Sequence, residues 1–303
     1  MFPTKLLERL ARAALPPPAA RLGKRVAVYP RYWTQARACR RGWRRYGDRY
    51  RRRIVFIAGL PKSGTTWLER MVASYPGFHE LLIPEVAAYE LATGGSNDYE
   101  LPDDFFSRLD RMLVITKMHV HGSPHNVELL RRAGVRYAVL FRDLRDVAVS
   151  HHFYVRNTPW HPEHPVYAGL SVEEGLAEFA RRSLVAWAGW VRSWHEHLDD
   201  ELGMVVRYEE LLEDTVGVMT ALAKHFELDS SPQAIGRIVE QQRFERLAAG
   251  RRRGEERSSS FFRKGIAGDW KNHFTPQLTE MYANLLGDFL VEFGYEEDPI
   301  DVR

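Results

Sequence analysis

The sequence predicts an α/β fold: a single P-loop-like domain with a central parallel sheet of about four to five strands flanked by helices. Three observations predict it. Four short apolar or β-branched runs, IVFIA at 54–58, LVITK at 113–117, RYAVLF at 136–141 and GMVVRY at 203–208, alternate with stretches long enough for crossover helices. Near-continuous apolar strands of this kind belong to a parallel sheet buried on both faces. The first run leads directly into GLPKSGTTW at 59–67, a glycine-bearing turn of the sort that opens a helix. The chain's 303 residues, 45% hydrophobic and 27% charged, suit one sizeable core.

Taken in order, apolar residues at three-to-four spacing predict helices over 65–74, 123–133, 172–198, 215–226, 232–242 and 276–293. Ser231-Pro232 and Thr275-Pro276 are start signals, a capping hydroxyl before a proline in the first turn. There is no internal repeat. Two polar stretches, TGGSNDYELPDD at 93–104 and GRRRGEERSSS at 250–260, read as mobile loops. Loops at strand carboxyl ends carry most ligand contacts in open α/β sheets.

Charge divides the chain into a basic N-terminal extension, residues 1–53, and a folded domain, residues 54–303. The extension holds sixteen Lys/Arg against two acids, a net +14, while twenty-seven basic against thirty-eight acidic residues leave the remainder at −11. Such an arm suits the protein's own acidic body, anionic lipid, an acidic glycan or nucleic acid. Residues 5–14, KLLERLARAA, place Leu6, Leu7, Leu10 and Ala14 on one helical face, a pattern for a short membrane-surface helix ending at the Pro16–Pro18 run. No run approaches the roughly 18 apolar residues of a membrane span, and the start lacks a secretory signal. The expected compartment is the cytoplasm, with peripheral membrane contact open to the arm. The single cysteine, Cys39, excludes an intrachain disulfide and multi-cysteine metal sites.

GLPKSGTTW carries the chemistry. Gly59 and Gly64 let the backbone curl, the Ser63–Thr66 amides can point into the curl, and the helix behind them presents its positive end, so the loop suits a phosphate. A nucleoside triphosphatase loop reads G-x-x-x-x-G-K-[ST], with lysine after the second glycine. Here Thr65 stands in that place and the lysine is Lys62.

PKSGTTW resembles the 5′-phosphosulfate loop of the cytosolic sulfotransferases, which use 3′-phosphoadenosine 5′-phosphosulfate (PAPS). The resemblance implies that Lys62 reaches the bridging oxygen between phosphate and sulfuryl group, that Ser63, Gly64, Thr65 and Thr66 surround the 5′-phosphate and that Trp67 lies near the adenine. It implies no metal, since a lysine and a helix dipole replace magnesium. YAVLFRDLRDVAVSHHF is similar to the family's 3′-phosphate motif, which here gives Arg142 and Ser150. FRKGIAGDWKNHFT resembles the RKGxxGDWK segment, so that Arg263, Lys264 and Gly265 close over the 3′-phosphate. Weaker matches are RYEEL, suggesting Tyr208 near the adenine, and QRFERL, suggesting Phe244 as the stacking residue. KMH resembles K-x-H, in which the histidine is the general base: His119, assisted by Lys117, deprotonates the acceptor while adenosine 3′,5′-bisphosphate leaves. By the same analogy Ser150 restrains Lys62 until the acceptor arrives. The resemblance spans roughly residues 54–295.

The competing reading at this spot is metal binding, because His119, His121 and His125 lie close together, with His151, His152, His161 and His164 further on. Gly122 and Pro124 separate His125 from the other two, and the expectation is no metal. The loop YVRNTPWHPEHPVYAGL at 154–170 and the aromatic residues of 85–106 are expected to line the acceptor pocket, which suits a small molecule, a lipid or a glycan. The family's dimer motif K-x-x-x-T-V-x-x-x-E appears as KNHFTPQLTE, where Pro276 replaces valine, leaving oligomeric state open. The sequence-level function is transfer of a sulfuryl group from PAPS to a hydroxyl, or less readily an amine. A magnesium-ATP kinase and a non-enzymatic polyanion-binding or nucleic-acid-binding module are the alternatives, nucleic acid being the weaker partner.

Overall fold

The computed structural model describes residues 17–93 and 97–297, with side chains from residue 27 onward. Five strands, β1 Ile54–Gly59, β2 His79–Glu80, β3 Val114–Met118, β4 Tyr137–Phe141 and β5 Gly203–Arg207, form an all-parallel sheet in the order β2-β3-β1-β4-β5. Four of them are the apolar runs read from the sequence. The fifth, β2, is two polar residues long and offered no periodicity to detect. Strand β1 is central: Phe56 pairs with Thr116 on one side and Tyr137 on the other. The chain builds β3 on one flank of β1 and then crosses to lay β4 on the other. Such a reversal opens a crevice beyond the strand's carboxyl end.

Alternate residues of each strand feed two cores, as the period of two requires. Phe56, Ala58, Val114, Tyr137 and Val139 pack on one face with Trp190 and Trp194, while Val55, Ile57, Ile115 and Leu140 pack on the other with Leu68, Met71 and Leu222. Helices begin where the capping signals stand. The Ser123, Ser231 and Thr275 hydroxyls accept backbone N–H bonds at the starts of Pro124–Arg132, Pro232–Gln241 and Pro276–Leu286. Two predicted helices are interrupted. The 172–198 stretch contains a π-helical turn, Ala180–Leu184, between Val172–Phe179 and Val185–Glu196. The 276–293 stretch breaks at Gly287, whose φ of 54° cannot continue a helix, and resumes as Phe289–Glu292.

The largest departure from expectation lies in the basic extension. A 30-residue helix, Pro17–Tyr46, begins within the proline run, with Pro17 and Pro18 tolerated in its first turn and Pro30 in its interior. The amphipathic segment 5–14 lies outside the described residues. Ala36 and Cys39 are fully buried against the body. The Gln35 side chain accepts from the Leu82 amide at 2.9 Å, and the Cys39 carbonyl accepts from the Leu113 amide at 3.2 Å. At Gly42 a Cβ would stand 1.9 Å from the Gly77 carbonyl oxygen, so only glycine permits the approach. Beyond the helix, Arg52 pairs with Glu227 at 3.1 Å and Arg53 with Asp110 at 3.0 Å, which offsets part of the arm's charge against the acidic body.

Candidate active site

The crevice at the end of β1 is a cavity of about 380 Å³. Of the residues singled out in the sequence, it is lined by Lys62, Gly64, Thr65, Thr66, Trp67, Lys117, His119, Arg142, Ser150, Tyr208, Phe244, Arg263, Lys264 and Gly265. Ser63 sits behind the lining, fully buried, with its hydroxyl unpartnered. The fold thus gathers segments separated by up to two hundred residues.

The loop owes its shape to backbone conformation. Lys62 and Gly64 both adopt left-handed φ, 68° and 83°. A non-glycine residue in that region is strained, which marks Lys62 as a position held by its surroundings. Amides of Gly64, Thr65 and Thr66 are bonded to no other described residue, and the helix Thr65–Val72 follows directly. Tyr208 closes one side, its ring so near that a Cβ on Gly64 would approach it to 2.7 Å. Trp67 is fixed by its indole N–H, which donates to the Gln242 carbonyl at 2.8 Å.

Three groups with opposed electrostatics meet at the strand ends. The Lys62 ammonium lies over the Tyr154 ring, 3.6 Å from its centroid, with Phe261 at 5.0 Å. Burial first, then the charges of Lys117, Arg142 and Arg263, push its pKa down to about 7. Lys117 is handled differently: its Nζ donates to the Thr66 hydroxyl at 3.2 Å and stands 3.6 Å from a Glu69 carboxylate oxygen. Glu69 is itself buried on the loop-following helix, and that burial raises its pKa while Lys117 opposes the shift. His119 comes just after β3. Its Nδ1 makes a short hydrogen bond to the Gly59 carbonyl; a carbonyl only accepts, so Nδ1 carries the proton and Nε2 keeps a lone pair. Burial, then Lys117, push the imidazole pKa down to about 4. At neutral pH this ring is a free base.

The opposite wall is built by Arg142 at the end of β4 and the segment 263–266. Arg142 Nη2 donates to Asp146 and to the Ile266 carbonyl, each at 2.7 Å, and its guanidinium faces Tyr208 at 4.3 Å. Its Nε is buried without a partner. Asp146 also accepts from the Gly268 and Trp270 amides at 2.8 and 2.9 Å. This carboxylate ties the strand end to the distant segment. Arg263 and Lys264 both pair with the buried Asp269, Lys264 at 2.6 Å, and Arg263 pairs also with Glu256 at 2.9 Å. At Gly265, with φ 69°, a Cβ would stand 2.5 Å from the Phe244 ring. The ring and the glycine therefore define one another's position.

Ser150 lines the cavity, but among the described residues it makes no hydrogen bond to Lys62. The aromatic partner Tyr154, one helical turn further along Leu144–Arg156, takes the lysine. The sequence reading missed this partnership, for which the four-residue spacing from Ser150 was the available signal. Glu69 and Asp146 were also missed. Glu69 is a lone carboxylate among Leu68, Met71 and Val72, and Asp146 stands one turn after Arg142. The nearby histidines point apart: His121 meets Glu100 at 3.0 Å and His125 meets the Leu101 carbonyl at 2.7 Å. No group of three or more possible metal ligands forms among the described residues. The remaining cavity wall includes Trp160, Trp187, His151 and Glu163 from the aromatic loop and its surroundings, with Val28 and Arg31 from the amino-terminal helix.

The sulfotransferase-domain family model matches residues 52–289. Sulfotransferase 1 family member D1 of Rattus norvegicus is 26% identical over 274 residues, covering 80% of this chain and 86% of the relative. Flavonol 3-sulfotransferase of Flaveria bidentis is 25% identical over 281 residues, with 79% and 82% covered. Among solved structures, a mouse sulfotransferase complexed with PAP superposes with a TM-score of 0.59 at 21% identity, covering 78% of this chain and 84% of that one. Retinol dehydratase in a complex with retinol and PAP gives 0.56 at 20% identity, with 79% and 82% covered, and these two likenesses speak for the fold. A phosphate-type loop at the crevice and a match across most of its length make one conclusion: the chain belongs to the sulfotransferase family and is an enzyme of sulfuryl transfer.

Proposed function

We propose that the protein transfers a sulfuryl group from PAPS to a hydroxyl of a small-molecule acceptor, with His119 as general base. The observation that carries this reading is the convergence of Lys62, Lys117 and the lone pair of His119 Nε2 on one cavity beside the Gly64–Thr66 amides. The chain's polar atoms fit the donor. The unpartnered Ser63 hydroxyl and Arg142 Nε are buried groups of the kind that an anion's oxygens satisfy, and the Gly265–Phe244 contact leaves a flat aromatic wall for a base. Two relatives of the same fold are described in complex with PAP. PAPS supplies the activated sulfuryl group.

The chain's own residues do the rest. The loop amides, Ser63 and the helix end bind the 5′-phosphate, while Arg142, Arg263 and Lys264 take the 3′-phosphate. Lys62 and Lys117 place positive charge where leaving-group charge develops, and His119 Nε2 receives the acceptor's proton. Trp160, Trp187 and Tyr154 give the acceptor an aromatic-walled site, which suits a hydroxylated apolar compound or a sugar face. Thr65 occupies the position where a magnesium-ATP loop carries its lysine, which disfavours a kinase.

Calorimetric titration with adenosine 3′,5′-bisphosphate, without metal, tests the reading against ATP plus magnesium. Micromolar or tighter binding of the bisphosphate is expected. Preference for ATP with magnesium, or no binding of either, would overturn it.

A further inference from the structure

The amino-terminal helix presents two faces. One is buried against the body through Val28, Ala36 and Cys39, and Val28 with the exposed Arg31 beside it lines the cavity wall. The other is open. Tyr29 and Trp33, one turn apart, are 57% and 55% exposed, and the same side of the helix continues through Arg37, Arg40 and Arg44, with Arg41 and Arg45 flanking them. These five arginines are exposed, and no ion pair engages them among the described residues. At 1.5 Å per residue the ridge from Tyr29 to Arg45 runs about 24 Å. Arg52 and Arg53, by contrast, are paired with acids of the body. Despite its net −11, the body leaves this row of guanidinium groups uncompensated.

We infer that this outer face is a docking surface for an anionic lipid bilayer. Charge complementarity supplies the attraction: each arginine near a negatively charged leaflet contributes on the order of 1 kcal/mol, a factor of about five in partitioning. Tyr29 and Trp33 supply amphipathic rings of the type that settle at headgroup depth. An exposed ridge on the outside of a helix matches a plane better than it matches a nucleic-acid groove, and its aromatic end, beside the interior Pro30, belongs to the helix segment that walls the cavity. Docking here would bring that wall of the cavity close to the lipid surface.

The test uses the full chain and sedimentation with phosphatidylcholine vesicles, with and without phosphatidylserine. Binding is expected only with phosphatidylserine, weakening as ionic strength rises. The triple variant Arg37→Gln/Arg40→Gln/Arg44→Gln should bind about 100-fold more weakly, and Trp33→Ala about 10-fold, both with unchanged affinity for adenosine 3′,5′-bisphosphate. Several outcomes would overturn the inference: no vesicle binding at low salt, equal binding by the triple variant, displacement of vesicles by a short DNA duplex, or lipid-free self-association that the triple variant abolishes. The last two would assign the face to nucleic acid or to a second copy of the chain.

Discussion

Filling the phosphate loop with an anion should draw a proton out of the solvent. In the free enzyme the Lys62 pKa is lowered from 10.5 to about 7. At about pH 8 the amine then carries roughly a tenth of a proton, whereas beside a dianion with an ordinary pKa it carries close to one. The expected uptake is about 0.9 proton per bisphosphate bound. The Tyr154 ring, which favours the ammonium, moves this toward a half. Calorimetry at about pH 8 in two buffers of different ionisation enthalpy reads the number directly as the slope of observed enthalpy. In Lys62→Met the slope should vanish. The same shift has a stability consequence. Because the folded pKa lies below the unfolded one, charging Lys62 opposes folding: the penalty is absent above pH 10.5, grows as pH falls, and is complete below about 7. At roughly 1.4 kcal/mol per pKa unit it amounts to at most about 5 kcal/mol, so Lys62→Met should melt higher than wild type near neutrality while losing turnover. A zero slope in the wild type, or an undiminished one in the methionine variant, would refute the assignment of a largely neutral lysine.

Three other perturbations follow from the site. His119→Ala should lower turnover by at least about 1,000-fold and leave bisphosphate affinity within twofold; the acid limb of the wild-type kcat/KM profile should fall near pH 4, and a limb at the ordinary 6.5 would contradict the buried free base. Its depressed pKa also means that stability is lost as pH drops from 6.5 toward 4, which thermal melts across that window can follow. Glu69→Gln should reduce kcat about tenfold by freeing Lys117 from its 3.6 Å partner, and parallel loss of bisphosphate binding would show that Glu69 supports the loop instead. Gly265→Ala should weaken bisphosphate binding at least about tenfold, because its Cβ meets the Phe244 ring at a left-handed φ. The control Gly236→Ala, in a helix with open space at the new Cβ, should instead stabilise the protein by about 0.5–1 kcal/mol, measured by denaturant titration.

Much of the fold was legible because its strands are buried on both faces. IVFIA, LVITK and RYAVLF carry their environment in their composition. His79–Glu80 does not, since two polar residues become a strand only through pairing with β3. The helix over Pro17–Tyr46 was hidden by arginines at exposed positions, which obscure the small residues Ala36, Cys39 and Gly42 that bury it. At the site, sequence identified residue types facing the cavity but not their partners. Lys62 over Tyr154, Lys117 beside Glu69 and Arg142 with Asp146 are pairings across segments or helical turns that a linear reading does not rank.

The pairing of Arg263 and Lys264 with Asp269 and Glu256 changes how a ligand would approach that end of the cavity. Two cations already answered by two carboxylates project little field into solvent. A phosphate arriving there would exchange places with an internal anion, and the displaced Asp269 would keep only Asn272 and the neighbouring His273. Association at that end should accordingly depend less on ionic strength than the number of basic side chains suggests. The cost of parting the carboxylate from its cations would appear in the dissociation rate as a complex that releases its product readily.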